Sequence, residues 1–162
     1  MIPQPEFTAL MSAIGLPQAA GQYGRFALYC RALQEWNQKI NLTTITDDEG
    51  VAVKHFADSL LPLTMAELPQ GASLVDVGSG AGFPGLPMAL VRPDLRLTFL
   101  DSLQKRLTFL EGVTAALGVP AAFVHARAEL PPFLLLCDAV LRAKPSLRVL
   151  PPLILEHSES KG

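Results

Sequence analysis

Cysteine is nearly missing from this chain: Cys30 and Cys137 are its two, far apart and without metal-type spacing. That excludes a disulfide scaffold and a cysteine-built metal centre, so no metal site is expected. Isolated thiols fit a cytoplasmic protein that keeps them reduced. Charge is scarce too. Asp, Glu, Lys and Arg make up 17% of the 162 residues, and 13 basic against 15 acidic side chains leave a formal net charge of −2. Bulk electrostatics therefore exclude a generally basic nucleic-acid binder, and any such contact needs a local patch. No apolar run approaches the ~20 residues that a bilayer span requires. No basic start leads into an apolar segment, so neither a membrane partner nor a signal peptide is expected.

What is present is core and backbone punctuation. Hydrophobic residues make up 49% of the chain, which also carries 12 glycines and 14 prolines. Four of those glycines, Gly78, Gly80, Gly82 and Gly85, follow the apolar, β-branched run Leu74-Val75-Asp76-Val77. The run reads as a buried strand, and an apolar helix pattern begins directly after the glycines. A glycine turn between strand and helix lets a ligand approach the backbone closely. A nucleotide-like cofactor suits such a turn.

Two cofactor classes fit it. Gly80-Ala-Gly82-Phe-Pro-Gly85 satisfies the dinucleotide pattern G-x-G-x-x-G. Asp76, two residues before Gly78, argues for the other class. An anionic side chain at the strand's carboxyl end repels a pyrophosphate but suits the ammonium and sulfonium of S-adenosylmethionine (SAM). Asp101 closes the strand pattern Leu95–Leu100 and can hold two ribose hydroxyls. Both cofactors use that feature, so the nicotinamide alternative, and with it an oxidoreductase, stays open here.

The rest of the chain frames this turn. Phe7, Leu10, Met11 and Ile14 recur at helical spacing. A second helix is expected from about Gln18 to Lys39, with Tyr23, Phe26, Cys30, Leu33 and Trp36 as its apolar side. That stripe is either core packing or an RNA-stacking platform. Asp47 or Asp48 can cap a third helix over Val51 to about Leu68, with Lys54, His55 and Asp58 on one face. Those three form either a solvated face or a lip over the cofactor pocket.

After the glycine turn come a short helix, the strand to Asp101, and a helix that Ser102 can cap. Lys105 and Arg106 stand in its first turn, where cations oppose the helix dipole; phosphate contact is one reason for them, plain solvation the other. Ala121–His125 is a third strand and Phe133–Leu141 contains a fourth, with Arg142 at its end. The pattern predicts an α/β fold with a right-handed parallel sheet and helices on its faces. Residues 1–70 form an N-terminal helical extension packed on the core, 71–162 the cofactor-binding α/β unit, and the whole is one compact body.

Six segments carry a resemblance. They are Asn37-Gln-Lys-Ile-Asn-Leu-Thr43, Lys54-His-Phe-Ala-Asp-Ser-Leu60, Asp76-Val-Gly-Ser-Gly-Ala-Gly-Phe-Pro-Gly85, Asp101-Ser-Leu-Gln-Lys-Arg106, Arg127-Ala-Glu129 and Asp138-Ala-Val-Leu-Arg-Ala143. In this order, over roughly residues 5 to 150, the chain resembles the RsmG (GidB) family. These bacterial methyltransferases act on guanine N7 in the decoding region of 16S ribosomal RNA.

The resemblance implies a Rossmann-like SAM-dependent methyltransferase fold, mostly parallel, working in the cytoplasm as a monomer on 16S rRNA or the 30S subunit. It also implies roles by position. Gly78 and Phe83 match the SAM loop, to which the reading of the turn adds Asp76, Gly80 and Gly82 as cofactor contacts; Asp101 and Ser102 match the ribose end, and Ala128 and Glu129 the adenine side. Arg142 matches an arginine beside cofactor and substrate, and with His55 and Asp58 makes the expected catalytic set. Lys54, Lys105, Arg106, Arg127 and Lys144 are the expected RNA contacts.

The chain departs from the family in three ways. Lys144 and Pro145 stand where the family favours small apolar residues. The link between strands three and four is little more than Pro131-Pro132. The family also continues with a hairpin that completes the sheet, so a C-terminally shortened form with an incomplete sheet is expected. A SAM-binding module without catalysis is the corresponding alternative function.

Overall fold

The computed structural model describes residues 1–127 and 133–137. Helix α1, Gln4–Ala13, carries Phe7 and Met11 on one side at helical spacing, and both are fully buried. A 3-10 helix, Pro17–Gln22, precedes α2, Tyr23–Asn37. The expected single helix from Gln18 is thus two elements, because the first turns close with the tighter hydrogen-bond pattern. The apolar stripe of α2 faces inward: Phe26, Cys30 and Leu33 are buried, and Trp36 packs on Phe109 with ring centroids 5.6 Å apart. Core packing, not an RNA platform, is what those residues do.

The third helical region is more broken than its sequence suggests. The Asp47 carboxylate accepts from the Gly50 N–H at 2.7 Å and caps α3, Asp48–Gly50. The chain then widens into a π-helix, Val51–Ala57, tightens again in α4, Asp58–Leu60, and ends in α5, Pro62–Met65. Phe56 and Leu60 point into the core, whereas Lys54 and Asp58 are exposed.

Four strands form one sheet in the order β3-β2-β1-β4: β1 is Ser73–Val77, β2 Arg96–Asp101, β3 Ala121–His125 and β4 Phe133–Cys137. Helix α6, Gly85–Val91, links β1 to β2, and α7, Gln104–Leu117, links β2 to β3. These three strands are parallel, with Leu74 opposite Leu97 and Phe99 opposite Phe123. Leu74, Asp76, Leu97, Phe99 and Asp101 are buried, whereas their alternates Val75, Thr98 and Leu100 are only half-buried, the period of two that a pleated strand imposes.

The fourth strand is the antiparallel member of the expected, mostly parallel sheet. β4 runs antiparallel to β1, with Phe133 opposite Val77 and Cys137 opposite Ser73. Residues 126–132 are too few for a parallel return, which takes a crossover of a dozen or more.

A run of rings joins the N-terminal helices to the glycine turn. Phe7 meets Phe26 at 5.2 Å, Phe26 meets Phe56 at 4.9 Å, Phe56 meets Tyr29 at 5.3 Å, and Tyr29 meets Phe83 at 5.4 Å. Burying each such side chain stabilises the fold by about 1.5–3 kcal/mol. The helices and the sheet therefore share one continuous core.

Candidate cofactor site

The sheet's carboxyl rim holds two buried carboxylates one strand apart. Asp76, near the end of β1, is 2% exposed, and Asp101, the last residue of β2, is 1% exposed. Each is fixed by backbone donors. Asp76 Oδ2 accepts from the Gly85 N–H at 3.0 Å and so reaches the first residue of α6. Asp101 Oδ2 accepts from the Gly80 N–H at 2.9 Å and its Oδ1 from the Leu103 N–H at 2.9 Å. Ser102 does not cap α7 as expected: it is exposed, and the helix starts after Leu103 with no side-chain cap, the Leu103 N–H being taken by Asp101.

Burial pushes the Asp76 carboxyl up from 3.8 to about 7; the Gly85 N–H opposes that shift and the Asp101 charge adds to it. Carboxyl groups on this rim disfavour phosphates, and a cation placed beside Asp76 favours its ionised form.

The turn between β1 and α6 is shaped by conditions only glycine meets cheaply. Gly78, Gly80 and Gly82 have φ of 74°, 56° and 95°. A Cβ at Gly82 would lie 2.8 Å from both Leu110 Cδ2 and Tyr29 Oη, so a side chain has no room there. At Gly80 an added Cβ would meet, among the described residues, only Gly78 O, at 3.8 Å. The turn is pinned below by Gly78 and Ser79 N–H groups donating to Leu100 O at 2.7 and 3.2 Å, and closed by Gly82 N–H donating to Ser79 O at 2.7 Å. A positive-φ glycine turn between two buried carboxylates fits a cofactor carrying an ammonium, a sulfonium and ribose hydroxyls. The same pair of acceptor carboxylates fits a dinucleotide pyrophosphate poorly.

Phe83, half-buried, is gripped by the N-terminal helices. The His55 imidazole stacks on it at 4.4 Å and 8° between planes. His55 Nε2 lies 2.7 Å from Thr43 Oγ1, which in turn accepts from the Ile45 N–H at 3.0 Å. Burial pushes the His55 pKa down, and Asp58 partly offsets this. Ser59 Oγ donates to His55 O across the widened turn. Lys54 in the π-helix and Asp58 at the start of α4 stay exposed.

The expected RNA contacts divide. Lys54, Lys105 and Arg127 are exposed. Arg106 instead turns toward Asp101, with an N–O separation of 3.6 Å, and its Nε is buried without a hydrogen-bond partner among the described residues. Ala128, Glu129, Arg142 and Lys144 lie outside the described residues. Sequence reasoning passed over Tyr29, Thr43 and Ser79. A polar group inside an apolar stripe was the available signal for Tyr29, whose hydroxyl donates to Ala81 O. Among the described residues no group of three His, Cys, Asp or Glu side chains could hold a metal ion, and no helix is long and apolar enough to cross a membrane.

The family described as GidB, rRNA small subunit methyltransferase G, matches residues 22–160. A protein named ribosomal RNA small subunit methyltransferase G from Clostridium beijerinckii is 50% identical over 117 residues, covering 72% of this chain and 49% of that protein. Its namesake from Halalkalibacterium halodurans is 46% identical over 125 residues, covering 76% and 52%, and that from Staphylococcus haemolyticus 45% identical over 120 residues, covering 74% and 50%. The chain spans about half the length of the curated relatives it matches. With a family match over residues 22–160 and a glycine turn set between β1 and α6, the chain belongs to the GidB family of rRNA small subunit methyltransferases G.

Proposed function

We propose that this chain holds SAM in its glycine turn and serves methyl transfer to N7 of a guanine in 16S ribosomal RNA, in the cytoplasm and as a monomer. The observation that carries the reading is the pair of buried carboxylates flanking the positive-φ glycine turn at the sheet's carboxyl rim. In this reading Asp76 attracts the cationic end of the cofactor, and Asp101, backed by Arg106, meets the ribose with Ser102 beside it. Gly78, Gly80, Gly82 and Phe83 form the loop on which the cofactor lies, with Ala128 and Glu129 on the adenine side. When bound, the cofactor supplies an electrophilic methyl group.

Guanine N7 already carries a lone pair in the ring plane, so the protein has no proton to remove before attack. Its residues are left with alignment and electrostatics. Arg142 hydrogen-bonds guanine O6 or a neighbouring phosphate. His55 and Asp58 border the pocket from the π-helix and α4. Lys54, Lys105, Arg127 and Lys144 meet the RNA backbone, which makes binding fall with salt.

Calorimetry with SAM and with NAD, together with tritiated SAM on 16S rRNA and 30S particles, tests the reading. Binding of SAM but not NAD and label on RNA are expected. SAM binding with no labelled RNA would leave a cofactor module and remove the transfer, and NAD binding without SAM would overturn the site.

A further inference from the structure

We propose that Tyr29 is a positioning residue for the glycine turn, fixing from the N-terminal helices the backbone on which the cofactor rests. The inference rests on the cofactor reading above and assigns a role to a residue of α2, outside the sheet and its turn. Tyr29 is fully buried, and it meets three successive residues of the turn. Its hydroxyl donates to Ala81 O. Its Oη occupies the space a side chain at Gly82 would need, 2.8 Å from that Cβ position. Its ring stacks on Phe83 at 5.4 Å and 25°.

The hydroxyl is what needs explaining. A phenylalanine would fill the same core volume among Phe56, Phe83 and Leu110 without a polar group to desolvate. Burying a hydroxyl is tolerated when it finds a partner, and the net gain of that hydrogen bond is modest. What it adds beyond packing is direction. The Ala81 carbonyl and the Gly82 N–H belong to one planar peptide unit, so holding the carbonyl also aims the N–H. That N–H closes the turn onto Ser79 O at 2.7 Å. A turn with glycines at 80 and 82 can rotate its peptide planes at little cost, since both signs of φ are open to glycine. Tyr29 removes that freedom at the 81–82 peptide. His55 steadies the next residue from a second helix, its ring flat on Phe83 and its Nε2 held by Thr43. The N-terminal helices thus shape the cofactor loop as well as packing on it.

The test uses the full chain, the variant Tyr29→Phe and a control, Phe7→Leu, in the aromatic core at Phe26 and Tyr23 away from the turn. Three readouts are taken: melting temperature, the dissociation constant for SAM by calorimetry, and amide hydrogen exchange over residues 78–85 without ligand. Tyr29→Phe is expected to weaken SAM binding roughly threefold to tenfold, the scale of one neutral hydrogen bond. It should also speed exchange at Gly82. Phe7→Leu should lower the melting temperature while leaving affinity and turn exchange at their wild-type values. Wild-type affinity and exchange in Tyr29→Phe overturn the proposal, as does an equal loss of affinity in Phe7→Leu. A wild-type chain with no affinity for SAM refutes the cofactor reading instead, and exchange at Gly82 then decides alone whether Tyr29 fixes the turn.

Discussion

Replacing Asp76 by asparagine separates what burial does to this carboxyl from what the carboxyl does for a ligand. The side chain is 2% exposed and accepts one backbone N–H, from Gly85. Its pKa rises to about 7 because burial outweighs that single donor and Asp101 repels it. A carboxyl held above its unfolded value keeps its proton in the folded state while the unfolded chain has lost it. Stability therefore falls as pH rises through the window from 3.8 to about 7; the penalty is absent below that window and complete above it. Each pH unit inside the window corresponds to about 1.4 kcal/mol. The part of the window above pH 5 thus removes about 3 kcal/mol of wild-type stability by pH 8.

Asparagine has the same shape, cannot ionise, and keeps a carbonyl oxygen for the Gly85 N–H. Relative to wild type, Asp76→Asn should gain about 3 kcal/mol on going from pH 5 to pH 8. Urea unfolding at the two pH values, followed by the fluorescence of Trp36, measures the difference. Stability profiles of the two proteins that run parallel from pH 5 to 8 would refute the reasoning. The same carboxyl sets a ligand effect. A cation beside it favours the ionised form, so SAM affinity should climb with pH around 7 in the wild type and lose that climb in Asp76→Asn. An unchanged climb in the variant means the cation is not held by Asp76.

Three further outcomes follow from the same geometry. Gly82→Ala places a Cβ 2.8 Å from Leu110 and Tyr29 at a φ of 95°, so it should destabilise the chain by about 1–3 kcal/mol in urea unfolding and abolish calorimetric SAM binding. Lys105→Ala removes an exposed charge in the first turn of α7 and should leave the melting temperature unchanged while reducing the salt slope of 16S rRNA binding by about one. Asp94, held well below the usual carboxylate range by Arg92 and the Gly71 N–H, stabilises the fold above 3.8 and loses that contribution as pH falls below it. Asp94→Asn should therefore cost less than about 1 kcal/mol at neutral pH, leave SAM affinity intact, and flatten the acid limb of the stability profile.

Much of the local structure is legible because side-chain period and backbone chemistry agree. The spacing of Phe26, Cys30 and Leu33 marks the buried side of α2, and Asp47 caps the helix it precedes. The four glycines after Val77 mark the turn, since positive φ at Gly78, Gly80 and Gly82 is a backbone requirement that sequence displays directly. The π-helix at Val51–Ala57 is not legible in this way. Its residues keep an apolar rhythm that an ordinary helix would also show, and the widening becomes visible only through hydrogen-bond register. Tyr29 is hidden for a related reason: it stands at helical spacing from Phe26 and Leu33 and reads as one more core ring, while its partner Ala81 O lies on a different element.

The direction of β4 is the clearest case of information that residue identity does not carry. Phe133–Cys137 is an uninterrupted apolar run, and such a run reads the same in either direction. Only the connection distinguishes the two. β3 ends at His125 on the carboxyl side of the sheet, and β4 begins at Phe133 beside Val77, on that same side. A chain that re-enters the sheet at the edge it has just left must run antiparallel to its neighbours, whereas a parallel strand would need residues 126–132 to travel back along the whole sheet. The shortness of that connection, together with Pro131 and Pro132 within it, outweighs the β-α-β rhythm that precedes it. It also means that Arg127, two residues past the end of β3, stands on the cofactor side of the sheet by topology.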